Sequence, residues 1–321
     1  MDTATTRLRG NASTQFPKKP YRIKFDSKQK PLNAPAKAKK WTLINNYGDK
    51  TLLRNPLAYE ISKRLNMPFT PFCTPVNVLL NGEYKGCYQL SDQIEVDKNR
   101  VNIKEMKPTD NSGEALTGGY FIEVDGYADT EISYFYSQRG TPVTIKSPDE
   151  EEITPEQKNY IASHFSLMEN KPAQYLDYNT FIRHFIVGEL SGNTDTYWST
   201  YMYKHRGNDT LFMGPVWDFD WSYGYESNRQ YCTTSPTDEL FGILTSGKGN
   251  KFFTALWQKS DLIKRRYYAL WKDFVENHLE EYIDYADDYL AYANSSFINN
   301  TSIWGDGGNY ATVAENMKTW L

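Results

Sequence analysis

VWDFDW, residues 216–221, interleaves two aspartates with three large aromatics in a chain of 321 residues. In an extended backbone successive side chains point to opposite faces, so Trp217, Phe219 and Trp221 share one side of a strand and Asp218 and Asp220 the other. Two carboxylates about 7 Å apart on a half-buried surface repel, and burying either one unpaired costs several kcal/mol. The spacing calls for a cation beside them: a metal ion, or neutralising arginine and lysine side chains. The wider stretch YWSTYMYKHRGNDTLFMGPVWDFDW (197–221) reads as a hairpin turning at Arg206–Asp209.

That hairpin is embedded among helical patterns, at 154–169, at about 177–190, and in several segments from 238 to the end. The first part of the chain reads differently. PYRIKFD (20–26) alternates Tyr21, Ile23 and Phe25 against Arg22 and Lys24, and KKWTLINNY (39–47) reads as a second strand. Apolar positions 53, 57, 61 and 65 make a helix face, with Pro56 implying an early break or a start near Asn55. Asn81–Gly82 marks a hairpin over 73–90, and RVNIKEM (100–106) and GGYFIEVDG (118–126) are expected to close the same antiparallel sheet. Strands first and helices later, with one embedded hairpin, is an α+β pattern. We expect a single domain with a β-rich N-terminal lobe (1–125), an irregular excursion (126–150) and a helical C-terminal lobe (151–321).

Thirty-six basic against 40 acidic residues leave a net charge of −4, which argues against a global field for nucleic acid or membrane. Positive charge is concentrated in residues 16–41, where a local anion site could lie. Mean hydropathy is −0.69, and no run approaches the roughly 18–20 apolar residues of a membrane helix. Twenty-five tyrosines and eight tryptophans suggest a secreted or cell-envelope protein, with a targeting sequence expected upstream of Met1. A monomer is expected.

Of the three cysteines, Cys73 and Cys87 lie on the two arms of the 73–90 hairpin. A two-residue turn sets Cys87 opposite Val76 and Cys73 opposite Leu90, so the thiols point to opposite faces and no disulfide joins them. With no CxxC spacing, zinc is not expected.

Two features could carry chemistry beside Asp218 and Asp220. The loop RLRGNASTQFPKKPYRIKF (7–25) combines Gly10 and hydroxyl residues with a basic strand. A glycine turn with lysine is one way to build a phosphate site, although a solvated basic surface explains the loop as well. Asp195, in SGNTD, precedes the first strand of the hairpin and lies 23 residues before Asp218. Carboxylates so placed converge at one end of the ribbon, as where one aspartate orients an acceptor hydroxyl and another holds magnesium on phosphates. An Asx-turn or helix-cap role for Asp195 suits GNTD equally.

The blocks LRGNASTQFPKKPYRIKFD (8–26), WTLINNYGDKTLLRNPLAYEISKRLNMPFTPFCTPVNVLLNGEYKGCYQLSDQIEVDKNRVNI (41–103) and GPVWDFDWSYG (214–224) together resemble the spore coat protein H (CotH) family of atypical, kinase-like proteins. The resemblance implies a two-lobed protein-kinase-like fold that binds ATP with magnesium and phosphorylates serine or threonine hydroxyls of a protein. Carried over by position, Arg9, Gly10 and Asn11, with Lys19, Arg22 and Lys24, would contact the nucleotide phosphates. Asp195 would be catalytic, Asp218 the magnesium ligand and Asp220 its neighbour on the metal side. Asn46, Asp49 and Arg54 match a further polar block without an assigned role. Family members often carry a metal-binding asparagine four or five residues after the catalytic aspartate; here stand Ser199 and Thr200, poorer magnesium ligands. That leaves one bound metal, a substituting water or a lost activity. The competing expectation is a non-catalytic surface or coat module that keeps the fold, and a third is carbohydrate binding by exposed aromatics.

Overall fold

The alternation at Tyr21, Ile23 and Phe25 builds one face of a five-stranded antiparallel sheet. The computed structural model describes residues 3–10, 12–49, 51–224, 248–305 and 310–320. The first sheet holds β1 (Ala4–Leu8), β2 (Tyr21–Gln29), β3 (Ala38–Ile44), β4 (Cys73–Leu80) and β5 (Glu83–Asp92) in the order β1-β2-β3-β5-β4. On one face Tyr21, Ile23 and Phe25 pack with buried Trp41, Leu43, Tyr88 and Leu90 in a small separate core. The register Arg7↔Arg22↔Thr42↔Ser91 places basic and hydroxyl side chains together on the other face, and Thr5↔Lys24↔Lys40 extends that row.

Between β3 and β4 runs α1 (Arg54–Arg64), with Pro56 in its first turn, where a missing N–H breaks no helical bond. Asn81 and Gly82 both take positive φ in the β4–β5 turn, as a tight hairpin requires. The register of this hairpin differs from the expected one. A shift between Val78 and Leu79, beside Gly86 at φ 100°, sets Cys73 opposite Ser91 and Cys87 opposite Asn77. Both thiols therefore share the face of Ser91 and Gln89, and their four-residue offset along the strand, roughly 13 Å, keeps them apart. Both are free, and burial pushes the thiols up to about 12 at Cys73 and about 11 at Cys87. Cys232 lies outside the described residues.

GGYFIEVDG does not join this sheet. It forms β6 (Tyr120–Asp125) at the centre of a second one, with β7 (Tyr134–Tyr136), β8 (Pro142–Ser147), β9 (Ser199–Lys204) and β10 (Leu211–Met213), ordered β10-β9-β6-β8-β7. RVNIKEM contributes only an isolated bridge between Val96 and Val101, whereas part of the 126–150 excursion is strand. Alternation marked β6 as a strand, but its partner β9 lies some 75 residues later and nothing local names it. The apolar face of this sheet, including Ile122, Val124, Val143, Ile145 and Met202, meets α2 (Pro155–Asn170) and α3 (Tyr178–Ser191) in the main core. A capping box of Thr154 and Gln157 starts α2, and Asp177 caps α3. Helices α4 (Lys248–Lys259), α5 (Asp261–Asn277), α6 (Leu279–Trp304) and α7 (Tyr310–Trp320) complete a mixed α+β fold. Among the described residues no helix is long and apolar enough to cross a membrane.

Helix α6 ties the helical half to the first sheet. The Asn300 side-chain oxygen accepts from Cys87 N at 3.0 Å and from the buried Lys18 Nζ at 2.7 Å, and Lys18 also donates to Cys87 O at 2.6 Å. Asn300→Ala removes an acceptor shared by a buried ammonium and a buried amide. We expect a loss of about 2–3 kcal/mol in urea unfolding with an unchanged m-value.

Candidate active site

The stretch around the two aspartates is a loop and not the expected strand. Strand β10 ends at Met213, before Gly214 and Pro215, and residues 214–219 have no regular structure. The aromatic side chains do not share one surface: Phe219 enters the main core, while Trp217 packs on Tyr201 with ring centroids 5.1 Å apart. Asp218 takes a left-handed conformation, φ 66°, and its carboxyl shares a hydrogen bond with that of Asp220. A turn of the chain thus brings the two carboxylates closer than the roughly 7 Å expected on one face of a strand.

Four backbone groups of this loop are held from outside. Phe219 N donates to Asn55 Oδ1 at 2.8 Å, Asn193 Nδ2 donates to Asp218 O at 3.3 Å, Arg54 Nε donates to Ser222 O at 2.8 Å, and Tyr223 N donates to Ser191 O at 2.6 Å. Arg54 is buried in an ion pair with Asp49 at 2.5 Å, and Asp49 also accepts from the backbone of Thr51 and Arg54. The Asp49–Arg54 part of the unassigned polar block therefore supports the loop. Asn46, at φ 46°, is fully buried and its amide has no partner among the described residues.

Asp195 reaches the same place from α3. The helix stops at Gly192 in the left-handed region, and Asn193 Oδ1 then accepts from Asp195 N at 3.1 Å. The cap suggested by GNTD is real, but Asn193 supplies it and Asp195 is left to face other carboxylates. Burial, and then the charges of Asp218, Glu123 and Asp125, push its carboxyl up to about 7. For Asp218 burial raises the carboxyl, while the bond from Asp220 and the charge of Arg9 oppose the rise. Asp220 is raised well above the usual range, by burial first and by Asp218 next.

Glu123 and Asp125 were not anticipated. Both project from β6 on the side opposite Ile122 and Val124, so alternation places them, but only the pairing of β6 with β9 brings them to Asp195. Glu123 accepts from Ser199 Oγ at 2.5 Å and pairs with Lys146 at 3.0 Å; burial, the largest influence, pushes it up to about 7. Thr200 Oγ1 donates to Thr196 O. Both hydroxyls at the positions where the family often has asparagine are thus engaged internally.

Arg9, Thr42, Asn55, Tyr201, Trp217 and Asp218 line a cleft between the polar face of the first sheet and the loop. Asp218 keeps solvent access there, and partial desolvation by the protein packed around it is the largest cause of its raised carboxyl. The Arg9 side chain makes no hydrogen bond or ion pair among the described residues. Gly10 turns the chain beside it at φ 86°, a conformation costly for other residues. Arg22 and Lys24 lie on the sheet face that Thr42 presents to the cleft, and burial followed by the charge of Arg7 lowers the Arg22 pKa. Lys19 Nζ instead donates to Thr14 O at 2.8 Å, and Asn11 lies outside the described residues. Asp195 and Asp220 adjoin this cleft through Asp218. Among the described residues no group of three or more His, Cys, Asp or Glu is arranged to hold a metal.

The family model described as CotH kinase protein matches residues 6–321, essentially the whole chain and well beyond the blocks that carry the sequence resemblance. No curated protein matches the chain.

The raised Asp195 carboxyl has a thermodynamic signature. Its folded value, about 7, exceeds an unfolded value of about 4, so ionisation costs stability increasingly as pH rises from about 4 and fully above about 7. Asp195→Asn removes that cost. The variant should melt higher than wild type at pH 8, with the difference vanishing near pH 4, in thermal scans at fixed ionic strength.

Proposed function

The chain belongs to the CotH kinase family, and on that premise we propose that it is a two-lobed atypical protein kinase transferring the γ-phosphoryl group of ATP to serine or threonine hydroxyls of a protein. The observation that carries this reading is one cleft with Arg9, whose guanidinium has no hydrogen bond or ion pair among the described residues, on one wall and Asp218 on the other. The charges beside β2 support it: Arg7 on β1 and Arg9 after it both act against the Arg22 charge, and a polyphosphate would relieve that repulsion. In this reading the first sheet is the lobe that covers the nucleotide, and the second sheet with its helices is the lobe that carries the acids.

The residues present fit magnesium and ATP. Asp218 and Asp220 form a carboxyl pair close enough to share a proton, a donor set that a divalent cation satisfies better. Magnesium is usually held by one or two carboxylates together with phosphate oxygens and water, so this pair is a sufficient protein share. Bound there, magnesium would neutralise charge on the phosphates. Arg9 and Arg22 would bind phosphate oxygens, and the Asn55 and Asn193 bonds would keep the Asp218 loop in register. Asp195, held by Asn193, would accept the proton of the acceptor hydroxyl as it attacks. With Ser199 and Thr200 engaged elsewhere, one magnesium held by Asp218 and Asp220 is the reading we favour.

Radiolabelled transfer from ATP to a serine-rich protein acceptor, run beside calorimetric nucleotide titration, tests this. Asp218→Ala should abolish both magnesium-dependent binding and transfer. Asp195→Ala should lower transfer by on the order of 10²- to 10⁴-fold while leaving most of the binding. Wild-type protein that binds no nucleotide with Mg²⁺ or Mn²⁺ would remove the kinase reading; binding without transfer to any acceptor tried would favour a non-catalytic module.

A further inference from the structure

Asn55 is 2 % exposed, yet it belongs to the wall of the cleft between Arg9 and Asp218. Its Oδ1 accepts from Phe219 N at 2.8 Å, and because a backbone N–H can only donate, the orientation of the amide is settled by that bond. The Nδ2 group is then left on the far side of the amide. It makes no hydrogen bond among the described residues, and it is not among the fully enclosed polar atoms that lack one. An amide donor held rigidly in a cleft that the Arg9 guanidinium also lines suits an anionic oxygen.

We propose that Asn55 is a nucleotide-binding residue: its Nδ2 donates to a phosphate oxygen of the bound nucleotide, while its Oδ1 holds the loop of Asp218 and Asp220. The inference rests on the kinase reading above and adds a donor to it. One side chain then links the two halves of the site. Helix α1 holds the loop of the acidic residues through Phe219 and meets the ligand directly, so the amide is set by the same bond that sets the acids. Neither β-branched nor apolar residues could supply both contacts. Aspartate keeps the oxygen for Phe219 N and loses the donor.

The test is calorimetric titration of ATP with Mg²⁺ on the whole chain, wild type against Asn55→Asp. If Nδ2 meets a phosphate, affinity should fall by at least the roughly 10- to 100-fold worth of a hydrogen bond to a charged group, and further because the variant sets a buried carboxylate against the phosphate, which also lowers the Tm. Unchanged affinity would show that Asn55 only supports the loop, which overturns this inference and leaves the kinase reading standing. No ATP binding by wild type would overturn both. A crystal structure of wild type with Mg²⁺ and a non-hydrolysable ATP analogue decides the question without the variant, including the case where Asn55→Asp does not fold. Nδ2 within hydrogen-bond distance of a phosphate oxygen supports the proposal, and Nδ2 with no ligand oxygen in reach overturns it.

Discussion

The buried Asp49–Arg54 ion pair is the constraint on which the arrangement of the site depends. Both side chains are almost completely enclosed, and taking two charges from water is repaid only when geometry and further hydrogen bonds are good. Here they are. Asp49 accepts from the Thr51 hydroxyl and backbone and from the Arg54 backbone, so it also satisfies N–H groups at the start of α1. Arg54 spends its Nε on Ser222 O, so the charge buried to begin the helix also holds the end of the Asp218 loop. Asn55, the next residue, holds the loop at Phe219. A helix start and a loop 160 residues later are thus one rigid unit.

What that unit holds is unfavourable by itself. Asp195, Asp218 and Asp220 crowd together, with Glu123 and Asp125 behind them, and burial raises the carboxyls of Asp195, Glu123, Asp218 and Asp220. Among the described residues, Lys146 pairs with Glu123, and the charge of Arg9 acts on Asp218 without an ion pair between them. Perturbed carboxylates gathered in a cleft are typical of functional sites, because a fold with no use for them gains nothing from the repulsion. The fold tolerates it through backbone anchors, in which Asn55, Asn193 and Arg54 bind main-chain atoms and leave the carboxylates unspent.

The two sheets divide the labour. One face of the first sheet is apolar and covers its own small core, and the other carries basic and hydroxyl residues, of which Thr42 and Ser91 line the cleft. The second sheet turns its apolar face to the helices and its acidic residues toward Asp195. Arg9 and Asp218 face each other in the cleft, and α6 reaches from the helices to Cys87 and Gln89 of β5.

Period-two alternation was enough to identify β2, β3 and β6, Pro56 to mark the start of α1, and Asn81–Gly82 to place a turn. Each of these signals is local, since side-chain direction and allowed φ belong to the residue and its neighbours. Asp218 and Asp220 stood out as aspartates among aromatics and Asp195 as a carboxylate just before a hairpin, all local features; that their charges act on one another is a matter of the fold. Tertiary structure decided the rest. Only strand pairing shows that β6 joins β9 and so brings Glu123 and Asp125 to the site. Only the bulge beside Gly86 shows that Cys73 and Cys87 share a face. VWDFDW has the pattern of a strand, but among the described residues no strand extends its ladder, while Asn55, Asn193 and Arg54 offer the backbone of this loop other partners. A buried peptide group takes whichever partner the fold brings to it, and that is not written in the six residues themselves.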